Sequence, residues 1–184
     1  VLEAWQGLGY YNRAVYLHEA ARRAGKTLPK TVESLMALPG IGRNTAHALA
    51  AFAYRHPVAV MEANVKRVLS RLFALASPRE AELWDKAQML VDTQNPFDYN
   101  QAMMDIGATV CLRRAPLCIS CPAAFICKGK SAPESYPARK AKKAPPVRRK
   151  RITVQRNARG EYYATPRKTR FLGGLYHFIE TELD

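Results

Sequence analysis

Acidic residues are scarce in this chain of 184 residues, with 15 Asp and Glu against 29 Lys and Arg. The resulting formal charge of +14 and pI near 9.9 impose a self-repulsion that a polyanion offsets, so a nucleic acid is the expected partner. Long apolar runs are missing: none approaches the roughly 20 residues of a bilayer-spanning helix. The opening VLEAWQGLGYYNR also lacks the basic-then-apolar order of a secretory signal. No membrane association is expected, and a soluble, cytoplasmic chain is. Cysteine is confined to Cys111, Cys118, Cys121 and Cys127. Within a reducing compartment, four thiols in one short loop point to a metal or cluster rather than disulfides. No internal repeat is present.

What is there is helical through about Cys127, with Ala, Leu and Val at three-and-four spacing and no convincing strand. Tyr11 to Ala24 carries Ala14, Leu17, Ala21 and Ala24 on one side and stops at Gly25. Thr31 caps a second helix that ends at Leu38, Pro39 and Gly40. A third helix runs from Arg43 to Tyr54, and a fourth from Asn64 to Leu75. Ser77 and Pro78 open a fifth, Asn95 and Pro96 break it, and the last, Asn100 to Val110, leads into the cysteine loop.

The expected domains are a helical one over 1–130, a basic Pro-rich linker over 131–151, and a truncated β-containing domain over 152–184. This length supports one full domain and part of another. A first residue Val1 and an abrupt end at Leu183 and Asp184 suggest a fragment at both ends. In the linker, Arg139 to Arg151 is read either as extra phosphate contacts or as a solvated tether.

The spacing C-x6-C-x2-C-x5-C lets four thiolates converge, which suits a [4Fe-4S] cluster. Structural zinc usually takes two tight Cys pairs, and only Cys118 and Cys121 form one. Closing this loop fixes Arg113, Arg114 and Lys128 where phosphates pass. Between the second and third helices, Leu38, Pro39, Gly40, Ile41 and Gly42 form a hairpin of about 38–44. Its amides, with the helix start at Arg43 and Asn44, form an anion nest for a DNA phosphate, although a plain helix-loop-helix turn gives the same five residues. Downstream, Glu62 lies at a helix entry beside Asn64, Lys66 and Arg67. A carboxylate there is a simple cap in many proteins, and in glycosidic chemistry it stabilises or attacks an oxocarbenium ion.

The segments LPGIGRNTA, EANVKRVLSR, NQAMMDIGATVC and the cysteine loop, in that order, resemble the adenine DNA glycosylases of the helix-hairpin-helix superfamily, relatives of endonuclease III. The resemblance covers about Val1 to Lys128, including WQGLGYYNRA, and RFLGGLYHF is similar to the start of the family's Nudix-like C-terminal domain. It implies a mainly α helix-hairpin-helix glycosylase fold with an iron–sulfur loop over 111–127. The implied activity is removal of adenine mispaired with 8-oxoguanine or guanine in double-stranded DNA, after base flipping, by a monomeric, nucleoid-associated enzyme. By position it implies Glu62 and Asn64 as catalytic and Lys66 near the reacting sugar, with Tyr10 a wedge beside the oxidised guanine. Leu38, Gly40, Gly42, Arg43, Asn44 and Arg67 complete the implied DNA contacts. Tyr10 and Tyr11 also read as core aromatics on Trp5, and Lys66, Arg67 and Arg43 as solvated charges.

Bifunctional relatives place a lysine where Asn44 stands, so hydrolysis without Schiff-base strand cleavage is implied. Two departures stand out. The family has Asp-Gly where this chain has Glu62-Ala63, and a carboxylate moved by about an ångström can cost about 100-fold in rate. Its general-acid glutamate lies ahead of the segment matched by Val1, so this chain is expected to bind DNA and turn over slowly. A non-catalytic damage-binding module and an endonuclease III-type lyase stand as rival readings.

Overall fold

A computed structural model describes residues 1–138, 146–168 and 175–183, which divide into two compact units. The larger, 29–37 with 41–141, is helical. Helix α1 (Tyr11–Ala24) belongs to the other unit; the larger one carries α2 (Val32–Met36), α3 (Arg43–Tyr54), α4 (Ala63–Leu72), α5 (Glu80–Leu90) and α6 (Pro96–Asp105). A π-helical turn, Ile106–Val110, continues α6.

Its core has two parts. Leu35 of α2 meets Ala46 and Ala50 of α3, whose small side chains let the two helices approach. Val65 and Leu69 of α4, Leu83, Trp84 and Ala87 of α5 and Met61 form the second cluster. The three-and-four spacing of Val65, Val68, Leu69 and Leu72 turns one face of α4 inward, and all four are buried. Burying a side chain such as Leu69 contributes about 1.5–3 kcal/mol.

In the other unit, 1–28, 38–40 and 142–184, α1 stops at Gly25 with φ +68°, as its sequence predicts. Strands β1 (Arg149–Thr153) and β4 (Ile179–Leu183) pair antiparallel from Arg149 opposite Leu183 to Thr153 opposite Ile179. Strands β2 (Thr165–Pro166) and β3 (Tyr176–His177) form a second antiparallel pair. Glu180 ties the parts together through ion pairs to Lys150 at 2.6 Å and to Arg167.

Several expected boundaries shift. The fourth helix ends at Leu72, because Phe73 leaves helical geometry and Ala74 takes a left-handed φ of 55°. The fifth begins at Glu80, with Arg79 rather than Ser77 at the cap. The sixth begins at Pro96, which is favoured in a first turn, so this proline starts α6 and does not merely end α5. The linker also contracts: β1 starts at Arg149, inside the expected 131–151. Ala138 N donates to Ala76 O at 2.7 Å, which holds the linker's first residues on the helical unit. Residues 139–145 of the linker and 169–174, which take in the first five residues of RFLGGLYHF, lie outside the described residues.

Candidate functional site

Glu62 is the N-cap of α4. Its backbone is extended, and Oε1 accepts from Val65 N at 3.0 Å, while Lys66 N donates to the Glu62 carbonyl at 2.9 Å. The capping role is therefore real. The residue is half-buried. One carboxylate oxygen is thus fixed by a backbone amide, which orients the other.

The segment that delivers Glu62, Pro57 to Met61, belongs to no helix or strand and has no strand beside it among the described residues. Helix side chains supply the partners that a neighbouring strand would give. Asn100 Oδ1 accepts from Val60 N at 2.8 Å while its Nδ2 donates to Val58 O at 2.9 Å and Pro96 O at 2.8 Å. Gln88 accepts from Ala59 N at 3.0 Å and donates to Pro57 O at 2.8 Å. The buried His47 donates from Nδ1 to Ala59 O at 2.8 Å, and Asn44 Oδ1 accepts from Met61 N at 2.8 Å. Backbone groups buried without a ladder need such partners.

Asn44 therefore brings the first turn of α3 beside the residue preceding Glu62. Gly42, the N-cap of α3, has no side chain to occupy the first-turn amides, which leaves them available to an anion. Of the two hairpin glycines only Gly40 is obligatory. It has φ +74°, and an added Cβ would lie 2.5 Å from Tyr16 Cβ, whereas Gly42 is extended with open space around it. Leu38 is buried, so it packs within the protein.

The cations are already engaged. Arg43 stacks over Trp84 at 4.0 Å from the ring centroid, and His47 packs on the same indole at 4.7 Å. Lys66 Nζ pairs with Glu80 at 2.8 Å, a surface contact that water and salt weaken. Arg67 points elsewhere: Nε donates to Cys111 O at 2.8 Å and a terminal nitrogen to Gly107 O at 2.6 Å, and burial lowers its affinity for its proton. It fastens α4 to the entrance of the cysteine loop. Asn64 packs against Gly107, where any Cβ would come within 2.7 Å of Asn64 Cβ.

In the other unit, Tyr10 holds a left-handed φ of 47° and is 88% exposed. Its neighbour Tyr11 is half-buried, its hydroxyl accepting from Gly7 N at 3.4 Å, and Trp5 Nε1 donates to Gly9 O. Neither of the two tyrosines is buried.

All four cysteines line one pocket that is partly open to solvent. Its wall includes Arg71, a residue the sequence reading passed over although it ends the EANVKRVLSR motif. Arg71 is 3% exposed and spans the loop, donating to Cys111 Sγ at 3.3 Å, Leu112 O at 2.6 Å and Pro133 O at 2.8 Å. Burial pushes the Cys127 thiol up, and the other three thiols push it further, so four thiolates here need a cationic centre. No three His, Cys, Asp or Glu of the described residues are placed to hold a single ion. A cluster asks for something different, one thiolate at each of several irons around a shared volume.

A helix-hairpin-helix motif matches residues 25–52, which span the C-cap of α1, α2, the hairpin and most of α3. The human adenine DNA glycosylase is 43% identical over 144 residues, and that of Mycolicibacterium smegmatis 41% over 141. The chain belongs to the adenine DNA glycosylase family. These matches cover 73% and 72% of the chain but only 26% and 47% of the two relatives, so the chain spans less than half of either. Among solved structures, a thermostable thymine-DNA glycosylase aligns with a TM-score of 0.65 and 28% identity, over 71% of this chain and 64% of that one. A trapped endonuclease III–DNA covalent intermediate aligns at 0.61 and 25%, over 71% and 66%. The helical unit of this family member therefore has the glycosylase fold. None of its described helices is long and apolar enough to cross a membrane.

Proposed function

We propose that the full-length protein is a monofunctional adenine DNA glycosylase of base excision repair. It binds double-stranded DNA as a monomer, flips adenine mispaired with 8-oxoguanine or guanine, and hydrolyses its N-glycosidic bond to leave an abasic site. The observation that carries this reading is the placement of Glu62, a carboxylate pinned by one oxygen at the start of α4 and tied through Met61 and Asn44 to the first turn of α3.

In the proposed reaction the C1′–N9 bond breaks and the electron pair leaves with adenine, which is protonated by an acid. Glu62 faces the resulting oxocarbenium ion, stabilising it or forming a transient ester, and water completes the product. Asn64 sits in the first turn of α4 beside it, and Lys66, released from Glu80, approaches the sugar and its phosphate. The hairpin at Leu38, Gly40 and Gly42, with Arg43, holds the backbone of the flipped strand, and Tyr10 enters the stack.

The cysteine pocket fits a [4Fe-4S] cluster held by Cys111, Cys118, Cys121 and Cys127. When bound, the cluster neutralises four thiolates and closes the loop that carries Arg113 and Arg114. Residues 152–184 are read as the start of a Nudix-like domain that helps recognise 8-oxoguanine, and protein of this kind resides with the nucleoid.

A second reading has one observation behind it: the Glu62–Val65 bond is what a purely structural cap makes, as in a non-catalytic damage-binding module. The lyase reading lacks an amine at position 44, where Asn44 offers an amide whose oxygen is already engaged by Met61 N. Assay of the full-length protein on adenine:8-oxoguanine, adenine:guanine and thymine:guanine duplexes tests the proposal. Release of adenine from the first two, without a borohydride-trapped adduct, is expected. Thymine release, or an efficiently trapped adduct, overturns it.

A further inference from the structure

The segment before Glu62, which belongs to no helix or strand, poses a problem that the glycosylase reading does not solve. Chain without a ladder of its own should slide or bend, because nothing fixes its register. Here its register is set by side chains from three helices: Asn44 and His47 of α3, Gln88 of α5 and Asn100 of α6. Between them they engage Pro57 O, Val58 O, Ala59 N, Ala59 O, Val60 N and Met61 N.

Asn100 is the centre of this frame. It is 1% exposed, and its amide accepts from one group of the segment and donates to another two residues away. The same Nδ2 donates to Pro96 O, four residues back in its own helix, which fixes the rotamer. Gln88 repeats the donor-and-acceptor pattern on the preceding residues from the exposed side. Only a group that both donates and accepts satisfies such a backbone edge in this way: an ionised carboxylate repels the carbonyls and an aliphatic group leaves both sides unpaired.

We propose that Asn100, backed by Gln88, is a positioning residue for the proposed reaction, setting where the Glu62 carboxylate stands against the sugar. The proposal rests on the assignment of Glu62 as the reacting carboxylate.

The test uses the full-length protein with its cofactor. Single-turnover adenine release at saturating enzyme, duplex affinity, cofactor content and thermal midpoint are measured for Asn100→Asp, Gln88→Ala and Glu62→Gln. A carboxylate displaced by about an ångström loses rate by up to about 100-fold, so Asn100→Asp is expected to release adenine roughly 10- to 100-fold more slowly with duplex affinity retained. Its rate relative to the wild type should recover as pH is lowered, because the protonated acid regains a donor. Gln88→Ala should show a smaller loss of the same kind.

If Asn100→Asp does not fold, Gln88→Ala decides the question, since Gln88 lies at the exposed side of the frame. Glu62→Gln separates the two readings. Loss of adenine release in Glu62→Gln, with wild-type rates in Asn100→Asp and Gln88→Ala, overturns the positioning role and leaves the catalytic one standing. Unimpaired release in Glu62→Gln removes the catalytic assignment itself, and the positioning proposal with it.

Discussion

Gly107 and Asn64 touch so closely that no side chain fits between them: a Cβ on Gly107 would stand 2.7 Å from Asn64 Cβ and 3.2 Å from its carbonyl carbon. The π-helical turn of Ile106–Val110 brings this glycine against the first turn of α4. The same glycine's carbonyl accepts from Arg67. Asn64 is thus held from behind by backbone.

Gly107→Ala should therefore destabilise the helical unit, since overpacking a tight contact costs about 1–3 kcal/mol. Gly42→Ala, at an extended N-cap with open space, should cost less, about 1 kcal/mol or below, from the poorer cap that Ala makes. Urea denaturation of the two variants checks the contrast. Equal effects would mean that the Asn64 contact is not tight.

Arg71→Met should loosen the cysteine loop. The buried guanidinium serves Cys111 Sγ and the carbonyls of Leu112, Pro133 and Tyr136, and each acceptor left unpaired costs about 1–3 kcal/mol. Iron content and visible absorption after purification should fall well below those of the wild type. A fully loaded Arg71→Met protein would contradict the bridging role.

His47 gives the helical unit a pH dependence of known sign. Burial lowers its pKa below the ordinary 6.5, so the unfolded chain takes up a proton before the folded one does. Its contribution is complete above pH 6.5 and is lost as pH falls from there toward the folded pKa. The thermal midpoint should drop across that window, and His47→Gln should remove this part of the drop. An unchanged slope in His47→Gln would place the effect on other groups.

Lys66→Ala should weaken DNA binding and flatten its salt dependence. One lost phosphate contact lowers the slope of log affinity against log salt by about 0.9. Binding isotherms at several salt concentrations read this directly. An unaltered slope would leave Lys66 as a partner of Glu80 only.

Much of this was legible in the sequence because the signals were local. Gly25 ends α1 and Thr31 caps α2, its hydroxyl accepting from Ser34 N, since caps and periodic apolar faces are written within a few residues. The four cysteines were legible by spacing, and their shared pocket follows. The frame around Pro57–Met61 was not, because its bonds join residues 12 to 42 positions apart and an interior Asn looks like any polar residue on a helix. Arg67 reads as a phosphate contact or a solvated charge for the same reason, and Arg71 carries no signal of its own in the sequence. Charge in a basic chain suggests phosphate, and only the tertiary packing shows that these two guanidinium groups serve backbone carbonyls.

The most direct test of the central claim is single-turnover adenine release by full-length Glu62→Gln on an adenine:8-oxoguanine duplex, measured beside its binding affinity. Glutamine keeps an oxygen for Val65 N and so preserves the cap while removing the charge. The account predicts tight binding with base release abolished or nearly so. Release at the wild-type rate would show that the carboxylate at position 62 only caps a helix.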